Sequence, residues 1–352
     1  MRHDLVPVVA VPARNEEARL PPLIRALGRQ VAWGGAPGSL QVVVVLNNCT
    51  DRSREAAQAA ANACPGIQLI LAEVALPDAV AHVGTARRLA MEMAADLVAD
   101  RSGGVILTTD ADAVPADDWV SATLASIANG VDLVGGRISG DQQEEARLGP
   151  AFLRRARAHA MYDELCDELA SLLDPLPHDP WPRHRDHTGA SLAVRVDVYR
   201  TLGGLDPLPF REDLAFVSKA RAAGFLLAHP PGVNVTVSAR LSGRAPGGMA
   251  DCLKAWMRAE AQGEPILVEA PEAVVARFRR RSALRALAAL PPGAARPPLL
   301  DLGGAPEGLP AAALVERLAP DEPDAPPTVL VEIACMAVRE YLAILKGSAD
   351  AA

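Results

Sequence analysis

Two acidic clusters carry residue types and spacings that could do chemistry. Asp110 and Asp112 flank Ala111 directly after the apolar run 105–109. Two carboxylates on either side of a small residue, at the end of a strand, can both point into one crevice. Their hard oxygen atoms suit Mg²⁺ or Mn²⁺ held together with substrate phosphates. A helix cap or a turn is the alternative for so short a motif, because aspartate favours both.

The second acidic cluster is the pair Glu212-Asp213, which follows a loop containing Gly-Gly and prolines. Acids at a helix N-terminus interact favourably with the macrodipole, worth ~0.3–1 kcal/mol each, so a purely structural role is open for this pair. A third polar cluster, 12–16 (PARNE), follows the first apolar run. Taken alone, it is compatible with a loop that leads into a capped helix.

The elements that must position these clusters alternate along the chain. We predict strands over 5–11, 41–46, 67–74, 105–109 and 132–136. Helices are predicted between them over 18–29, to about residue 63, and over 84–98 and 119–128. This order is typical of a mostly parallel, doubly wound α/β sheet. Ligands of such sheets bind beyond the carboxyl ends of the strands, and the polar clusters at 13–16, 47–51 and 110–112 all fall there.

The rest of the chain becomes helical. Helices are predicted over 144–173, 212–224, 249–262, 272–290 and 329–345, with a strand at 190–194 and one or two strands within 226–239. We therefore expect a catalytic α/β domain over 1–243 and a helical extension over 244–290. A linker rich in Pro, Gly and Ala over 291–327 then leads to a C-terminal helix within 328–352.

Composition excludes several classes of protein. The 352 residues are 50% hydrophobic and 22% charged, which allows a large core. A net charge of −8 and 3% aromatic residues argue against a nucleic-acid partner. No apolar run approaches the ~20 residues of a transmembrane helix, and the start of the chain does not read as a signal peptide. The five cysteines are scattered, so we expect a cytoplasmic protein without a disulfide framework.

Five segments in one order resemble the family 2 glycosyltransferases of the GT-A fold. They are 8–17 (VVAVPARNEE), 42–53 (VVVVLNNCTDRS), 106–119 (ILTTDADAVPADDW), 189–205 and 212–224. The resemblance spans roughly residues 5–245. It implies a Rossmann-like, mostly parallel central sheet flanked by helices, here with a helical C-terminal extension. It also implies transfer of a sugar from a nucleoside-diphosphate sugar to a hydroxyl of a small-molecule, lipid or glycan acceptor.

The resemblance implies a donor side. Its residues are Pro12, Ala13, Arg14, Glu16, Asn47, Gly84, Arg87, Asp110, Ala111 and Asp112, with Asp110 and Asp112 on the Mn²⁺ or Mg²⁺ ion. Asn47 stands where the family usually carries an acid for the uracil base, so the choice between uridine and guanosine is open. Arg240 and Arg244 follow a predicted strand in a Gly-Pro loop. We expect them on the donor diphosphate, since a guanidinium suits bidentate phosphate contact; a solvated loop is the alternative.

The resemblance also implies an acceptor side. The Glu212-Asp213 pair supplies the general base of inverting members, with Asp213 the better candidate, and Gly189, Gly203 and Gly204 match acceptor-side segments. The loop 175–187 (PLPHDPWPRHRDH) is assigned to acceptor recognition because a tryptophan face can stack on a sugar. Its candidate residues are His178, Trp181, His184 and His187. An exposed rigid loop and a second metal site are the alternatives for this loop.

Other functions stay open at this stage. A nucleotidyltransferase shares such a sheet but usually has a glycine-rich phosphate loop after the first strand, where this chain has PARNEE. A non-catalytic sugar-nucleotide-binding protein is another alternative. It is less favoured, because such a protein does not need the two acidic clusters and this chain has both intact. The basic stretch 277–285 (RFRRRSALR) is interpreted as a solvated helix face, with an anionic acceptor or membrane surface as the alternative. The apolar face of helix 329–345 is expected to dock onto the catalytic domain, and a homodimer is the alternative.

Overall fold

The chain forms two compact units in the computed structural model, which describes residues 5–31, 40–99, 103–243, 247–288, 310–321, 323 and 325–349. Unit 1 comprises Met1–Arg147, Arg185–Lys219 and Leu226–Lys254. Unit 2 comprises Leu148–His184, Ala220–Phe225 and Ala255–Ala352. Both units are discontinuous in sequence, whereas the sequence analysis placed domain boundaries at single points along the chain.

Strands and helices alternate through the first 130 residues, as the hydrophobic pattern predicts. The strands are β1 (Val6–Ala13), β2 (Leu40–Asn47), β3 (Ile67–Val74), β4 (Gly104–Thr108), β5 (Ala113–Pro115), β6 (Leu133–Gly135), β7 (Arg137–Gly140), β8 (Leu192–Arg195), β9 (Leu227–Ala228), β10 (Asn234–Val237), β11 (Leu267–Glu269) and β12 (Thr328–Leu330). The predicted strand over 67–74 is confirmed to the residue.

The helices likewise follow the predicted order. They are α1 (Leu20–Gly28), α2 (Ser53–Asn62), α3 (Val83–Leu97), α4 (Trp119–Ala128), α5 (Gln142–Arg147), α6 (Pro150–Leu173), α7 (Val196–Thr201), α8 (Glu212–Ala222), α9 (Met249–Ala261), α10 (Pro271–Ala288), α11 (Ala311–Leu318) and α12 (Val331–Ala349). The helical region predicted over 144–173 is present, but it is divided into α5 and α6. Gly149 adopts a φ of +94°, and Pro150 can begin a helix but not continue one.

Unit 1 is built on a seven-stranded sheet in the order β3-β2-β1-β4-β8-β6-β9. The four strands β1 to β4 pair in parallel with one another, and β8 runs antiparallel to β4 and β6. Strands β1, β2 and β4 are buried along nearly their whole length, which is expected for parallel strands covered on both faces. Their carboxyl ends lie at one edge of the sheet. The predicted mostly parallel α/β fold is confirmed.

A second, three-stranded sheet in unit 1 has the order β5-β10-β7. Strand β5 begins directly after Asp112 and pairs antiparallel with β10, with Ala113 opposite Val237. Because the two strands run in opposite directions, the chain leaving β10 passes beside the end of the DxD segment, Asp110-Ala111-Asp112. The short β5 was not predicted, since three residues carry no alternation that a sequence pattern could reveal.

Unit 2 packs α6, α10 and α12 around a core that includes Tyr162, Leu169, Val274, Ala334 and Val338. The apolar face of α12 is thus buried within unit 2, partly against α6, which lies within the predicted catalytic domain over 1–243. No described helix is long and apolar enough to cross a bilayer. A homodimer stays an untested prediction.

The predicted linker over 291–327 is only partly described. Residues 311–318 form α11 instead, and Val315 is buried there against Leu284 of α10. Residues 291–309 lie outside the described part of the chain. The basic stretch 277–285 is largely paired within unit 2, since Arg277 binds Glu269, and Arg281 and Arg285 both contact Asp174. These ion pairs favour a structural role for the stretch.

Candidate active site

The loops after β1 and β2 are tied together at the carboxyl edge of the sheet. Asn15 adopts a φ of +53° and its Oδ1 accepts the backbone N–H of Thr50 at 2.7 Å. The backbone N–H of Glu16 donates to Ser53 Oγ at 2.8 Å, and Ser53 begins α2. Glu16 is therefore buried and fixed in place, whereas Arg14 is exposed and donates to the carbonyl of Ala81 at 2.9 Å.

Asn47 closes strand β2 and carries an unsatisfied polar atom. Its side chain is 2% exposed, and its Oδ1 has no hydrogen-bond partner within the described residues. The next residue, Asn48, uses its own amide to bind the backbone of Leu76 through two hydrogen bonds of 2.8 and 2.9 Å. Because an unpaired buried carbonyl costs free energy, Asn47 is suited to a ligand that supplies a donor.

Arg87, on the second turn of α3, joins both acidic clusters. It donates from Nη2 to Asp110 Oδ1 at 2.7 Å and from Nε to Glu212 Oε1 at 2.9 Å. Its Nη1 donates to Thr108 Oγ1 and to the carbonyl of Gly189, both at 2.9 Å. The side chain is 3% exposed. Burial alone lowers the pKa of Arg87, but the facing carboxylates of Asp110, Glu212 and Asp213 raise it well above its ordinary value.

This geometry changes the interpretation of Arg87. The sequence resemblance placed it against the base and phosphates of the donor. In the structure its guanidinium is buried beneath the strand ends, and all three of its nitrogen atoms already have protein partners. Arg87 thus acts as an internal bridge between Asp110 and Glu212.

Arg240 is the second cation of the site, and it contacts Asp112 and Glu16. The distance from Arg240 Nη2 to Asp112 Oδ2 is 3.0 Å, and that from Nη1 to Glu16 Oε2 is 2.7 Å. Burial raises the pKa of Asp112 to about 6; the nearby Asp110 raises it too, whereas Arg240 opposes the shift. Arg244, the other predicted diphosphate ligand, lies outside the described residues.

Glu144, on α5, is a residue of this site that the sequence analysis missed. Its Oε2 accepts hydrogen bonds from Ser238 Oγ at 2.7 Å and from the backbone N–H of Ala239 at 2.9 Å. Its Oε1 pairs with Arg19 at 2.7 Å. Glu144 therefore anchors the backbone that leads to Arg240. No sequence signal marks it, because it is one of several acids in a helical stretch.

The predicted base lies on the first turn of α8. Asp213 Oδ2 accepts the backbone N–H of Gly189 at 2.6 Å, and Oδ1 accepts that of Leu214 at 2.8 Å. Glu212 is buried against Arg87, whereas Asp213 is only half-buried. Gly189 also leaves room for Arg87, since a Cβ there would lie 2.3 Å from the Arg87 Cζ atom. Asp213 is thus the more accessible acid of the pair.

Gly203 and Gly204, which are also predicted on the acceptor side, belong to unit 1. Gly203 and Gly204 line a cavity of about 310 Å³ with Glu92, Ala95, Asp96, Tyr199 and Arg200. Asp96 follows Arg87 by nine residues of α3, or about 13 Å along the helix axis. The Gly-Gly turn therefore lies beside α3, where the carbonyl of the next residue, Leu205, accepts a hydrogen bond from Arg88 at 3.2 Å, and its assignment to the acceptor side stays a prediction.

The histidine-rich loop 175–187 is divided between the two units. His187 belongs to unit 1, where its Nδ1 lies 3.2 Å from Nε2 of His229. His178, Trp181 and His184 belong to unit 2, and Trp181 is 40% exposed. Acceptor recognition by these residues stays a prediction.

Four further donor-side predictions fall on residues with small side chains that cannot donate or accept hydrogen bonds. Pro12 and Ala13 end β1, and Ala111 is buried in the core of unit 1. Gly84 begins α3 at a close approach of two backbones. A Cβ on it would lie 2.0 Å from the carbonyl oxygen of Leu208. A glycine is needed there for packing, whatever its contact with a donor.

We expect Gly84→Ala to destabilise the protein, although alanine normally favours a helix. Forcing a methyl group against the Leu208 carbonyl must shift backbone, at a cost of ~1–3 kcal/mol. The matched control is Gly347→Ala in α12, where no heavy atom lies within 4 Å of the added Cβ. It should stabilise by up to ~1 kcal/mol. Urea unfolding measures both, and equal effects would contradict the packing argument.

The carboxylates of the site fit a divalent cation. Among the described residues there is no group of three or more His, Cys, Asp or Glu that could hold a metal by itself. Mg²⁺, however, is usually bound by one or two carboxylates together with substrate phosphates. The site also has more acids than cations, with five acids facing Arg87 and Arg240: Glu16, Asp110, Asp112, Glu212 and Asp213. Asp110 and Asp112 are thus suited to a cation completed by the donor.

The mostly parallel sheet flanked by helices is the α/β fold class that the sequence resemblance implied. Residues 8–170, just under half of the chain, match the sequence model of Glycosyl transferase family 2. Over this segment the chain is similar to the family 2 glycosyltransferases. No curated protein matches the chain with significant similarity.

Solved structures of similar fold are distant in sequence. S. aureus TarS 1-349, solved with UDP, is 14% identical, covering 80% of this chain and 71% of its own, with a TM-score of 0.48. Mannosyltransferase PcManGT from Pyrobaculum calidifontis, solved with GDP-Man and Mn²⁺, is 18% identical over 96% and 80%, with a TM-score of 0.45. Glucosyl-3-phosphoglycerate synthase from Mycobacterium tuberculosis, solved with phosphoglyceric acid, is 16% identical over 74% and 81%, with a TM-score of 0.40.

Proposed function

We propose that the protein is a metal-dependent, inverting glycosyltransferase that moves a sugar from a nucleoside-diphosphate sugar to an acceptor hydroxyl. One observation carries this proposal: Arg87 binds Asp110 of the DxD segment and Glu212 beside Asp213 at the same time. The donor-side acids and the predicted base therefore lie on either side of one buried guanidinium. Such an arrangement fits a reaction in which the leaving group and the attacking hydroxyl meet at a single sugar carbon.

The donor is proposed to bind across the tied loops after β1 and β2. Asn47 offers its unsatisfied Oδ1 to a donor group of the base, such as a ring N–H. Arg240 offers a guanidinium fork to the diphosphate. Because an amide can pair with uracil or guanine, both UDP- and GDP-sugars are candidates.

Asp110 and Asp112 would hold the divalent cation, Mn²⁺ or Mg²⁺, together with the diphosphate. When bound, the cation stabilises the negative charge that develops on the leaving nucleoside diphosphate. Arg87 fixes the position of Asp110, so that this carboxylate does not need to reorganise as the donor binds.

Asp213 is proposed to accept the proton of the acceptor hydroxyl as it attacks the anomeric carbon. Its two oxygen atoms each accept one backbone N–H, which orients the carboxylate and leaves further lone pairs for the hydroxyl. The product is a sugar of inverted configuration. A cytoplasmic location stays a prediction from the sequence alone.

Product analysis tests this function. The protein is incubated with UDP-, GDP- and TDP-sugars and Mn²⁺, with and without candidate hydroxyl acceptors, and released nucleotides are separated by chromatography. Release of a nucleoside diphosphate together with a glycosylated product supports the proposal. Release of a nucleoside monophosphate or pyrophosphate would show a nucleotidyl transfer instead. Donor binding without any turnover would point to a sugar-nucleotide-binding protein.

We expect Asp112→Ala to abolish Mn²⁺-dependent donor binding while leaving the fold intact, because the cation loses a carboxylate ligand. Asp117→Ala is the matched control, since Asp117 lies five residues further along and pairs only at the surface with Arg29. Calorimetry with each nucleoside diphosphate, in Mn²⁺ and in EDTA, measures the effect. If Asp112→Ala and the wild type bind the donor with equal affinity in Mn²⁺, the assignment of Asp112 as a ligand of the cation is wrong.

A further inference from the structure

Arg240 forms an ion pair with Asp112, the carboxylate to which the proposed function assigns the divalent cation. Its Nη2 atom lies 3.0 Å from Asp112 Oδ2, and its guanidinium also binds both oxygen atoms of Glu16. The Arg240 side chain is largely buried and has no other acidic hydrogen-bond partner among the described residues. Asp112 therefore already has a cationic partner within the protein.

The fold holds Arg240 in this position. Strand β10 pairs with β5 so that Val237 lies opposite Ala113, which directs the following residues back along the DxD segment. Glu144 then binds Ser238 and the backbone of Ala239, one and two residues before Arg240. The contact with Asp112 is thus set by backbone placement, and not only by a flexible side chain.

A divalent cation and the Arg240 guanidinium compete for the same carboxylate. Charges of like sign within a few ångströms repel strongly at a partly buried site, where water screens them poorly. A cation on Asp112 would therefore require Arg240 to move. The diphosphate of a donor offers the guanidinium another anionic partner of matching geometry.

We propose that Arg240 is a gate of the cation site: it neutralises Asp112 while no donor is bound, and it yields Asp112 to a divalent cation when a donor diphosphate takes up the guanidinium. This inference rests on the proposed function and adds to it the order in which the donor and the cation bind. The cation binds weakly to the donor-free enzyme and tightly in company with the donor. The two ligands are then coupled, each raising the affinity of the other to the same degree.

Mn²⁺ titration without nucleotide tests the gate. Calorimetry or electron paramagnetic resonance measures the Kd of Mn²⁺ for the wild type, Arg240→Gln and Arg52→Gln. The last is a matched control, because Arg52 lies on the strand-end loop after β2 with an exposed side chain and the same charge is removed. We expect Arg240→Gln to bind Mn²⁺ at least tenfold more tightly than the wild type. Arg52→Gln should stay within twofold of the wild type.

Two further variants make the outcome decisive. Adding Asp112→Asn to Arg240→Gln should remove the gain in affinity, since the freed carboxylate is then absent. Arg240→Lys keeps the charge but loses the guanidinium fork, so its Kd should fall between those of the wild type and Arg240→Gln. It also serves as the test if Arg240→Gln does not fold. If Arg240→Gln and Arg52→Gln bind Mn²⁺ with equal affinity, the proposal that Arg240 is a gate is wrong.

A separate titration distinguishes failure of the proposed function from failure of the gate. The wild type is titrated with UDP and with GDP in the presence of Mn²⁺. If neither nucleotide binds, the proposed function is wrong and the gate falls with it. If a nucleotide binds but Arg240→Gln shows no tighter nucleotide-free Mn²⁺ binding than the wild type, the gate alone is wrong.

Discussion

Asp213→Asn should lower kcat at least ~10²-fold and leave donor binding unchanged, the lower end of the effect expected for loss of a general base. The asparagine keeps the shape of the side chain and can still accept the Gly189 N–H at the position of Oδ2. It cannot take a proton from the acceptor hydroxyl. Release of nucleoside diphosphate measures turnover, with water as the acceptor where no other is known.

Asp206→Asn is the matched control for this prediction. Asp206 belongs to the same unit, is half exposed and pairs with Lys219 of the same helix α8. Its turnover should stay near that of the wild type. The configuration of the product is a second check, since an α-linked donor should yield a β-linked product by NMR. Near-normal turnover in Asp213→Asn, or a product of retained configuration, would contradict the assignment of Asp213 as the general base. The acid pair would then have only a structural role at the start of α8.

Arg87→Met should give the largest loss of stability in the site. Removing the guanidinium leaves Glu212 buried without its cation, and loss of one partner of a buried ion pair costs ~3–5 kcal/mol. Asp110 also loses the hydrogen bond that positions it, so donor binding should fall as well. Chemical unfolding measures the first effect, and calorimetry with nucleotide and Mn²⁺ measures the second.

The neighbouring Arg88→Met is the control. Arg88 is on the same helix, is one-third exposed and pairs with Glu92 on the surface, a contact worth only ~0–1 kcal/mol. The double variant Arg87→Met/Glu212→Gln should recover part of the lost stability, because the stranded charge is then removed. A loss in Arg87→Met no larger than that in Arg88→Met would contradict the role of Arg87 as an internal bridge.

The amino-acid sequence by itself determined the catalytic sheet and the main chemical groups of the site. Buried parallel strands must be apolar on both faces, so β1, β2 and β4 are visible as nearly continuous hydrophobic runs. The carboxyl ends of such strands share one edge of the sheet. The polar residues that follow them could therefore be assigned to one site before any coordinates were known.

Only the tertiary structure decided which side chains bind each other there. Arg87 is 125 residues from Glu212, and Arg240 is 224 residues from Glu16, so no local pattern links either pair. The placement of Arg240 depends on the three-residue strand β5 and on Glu144, and neither leaves a periodic signal. Periodicity reports which face of an element is buried, whereas partners across the fold depend on how distant elements pack.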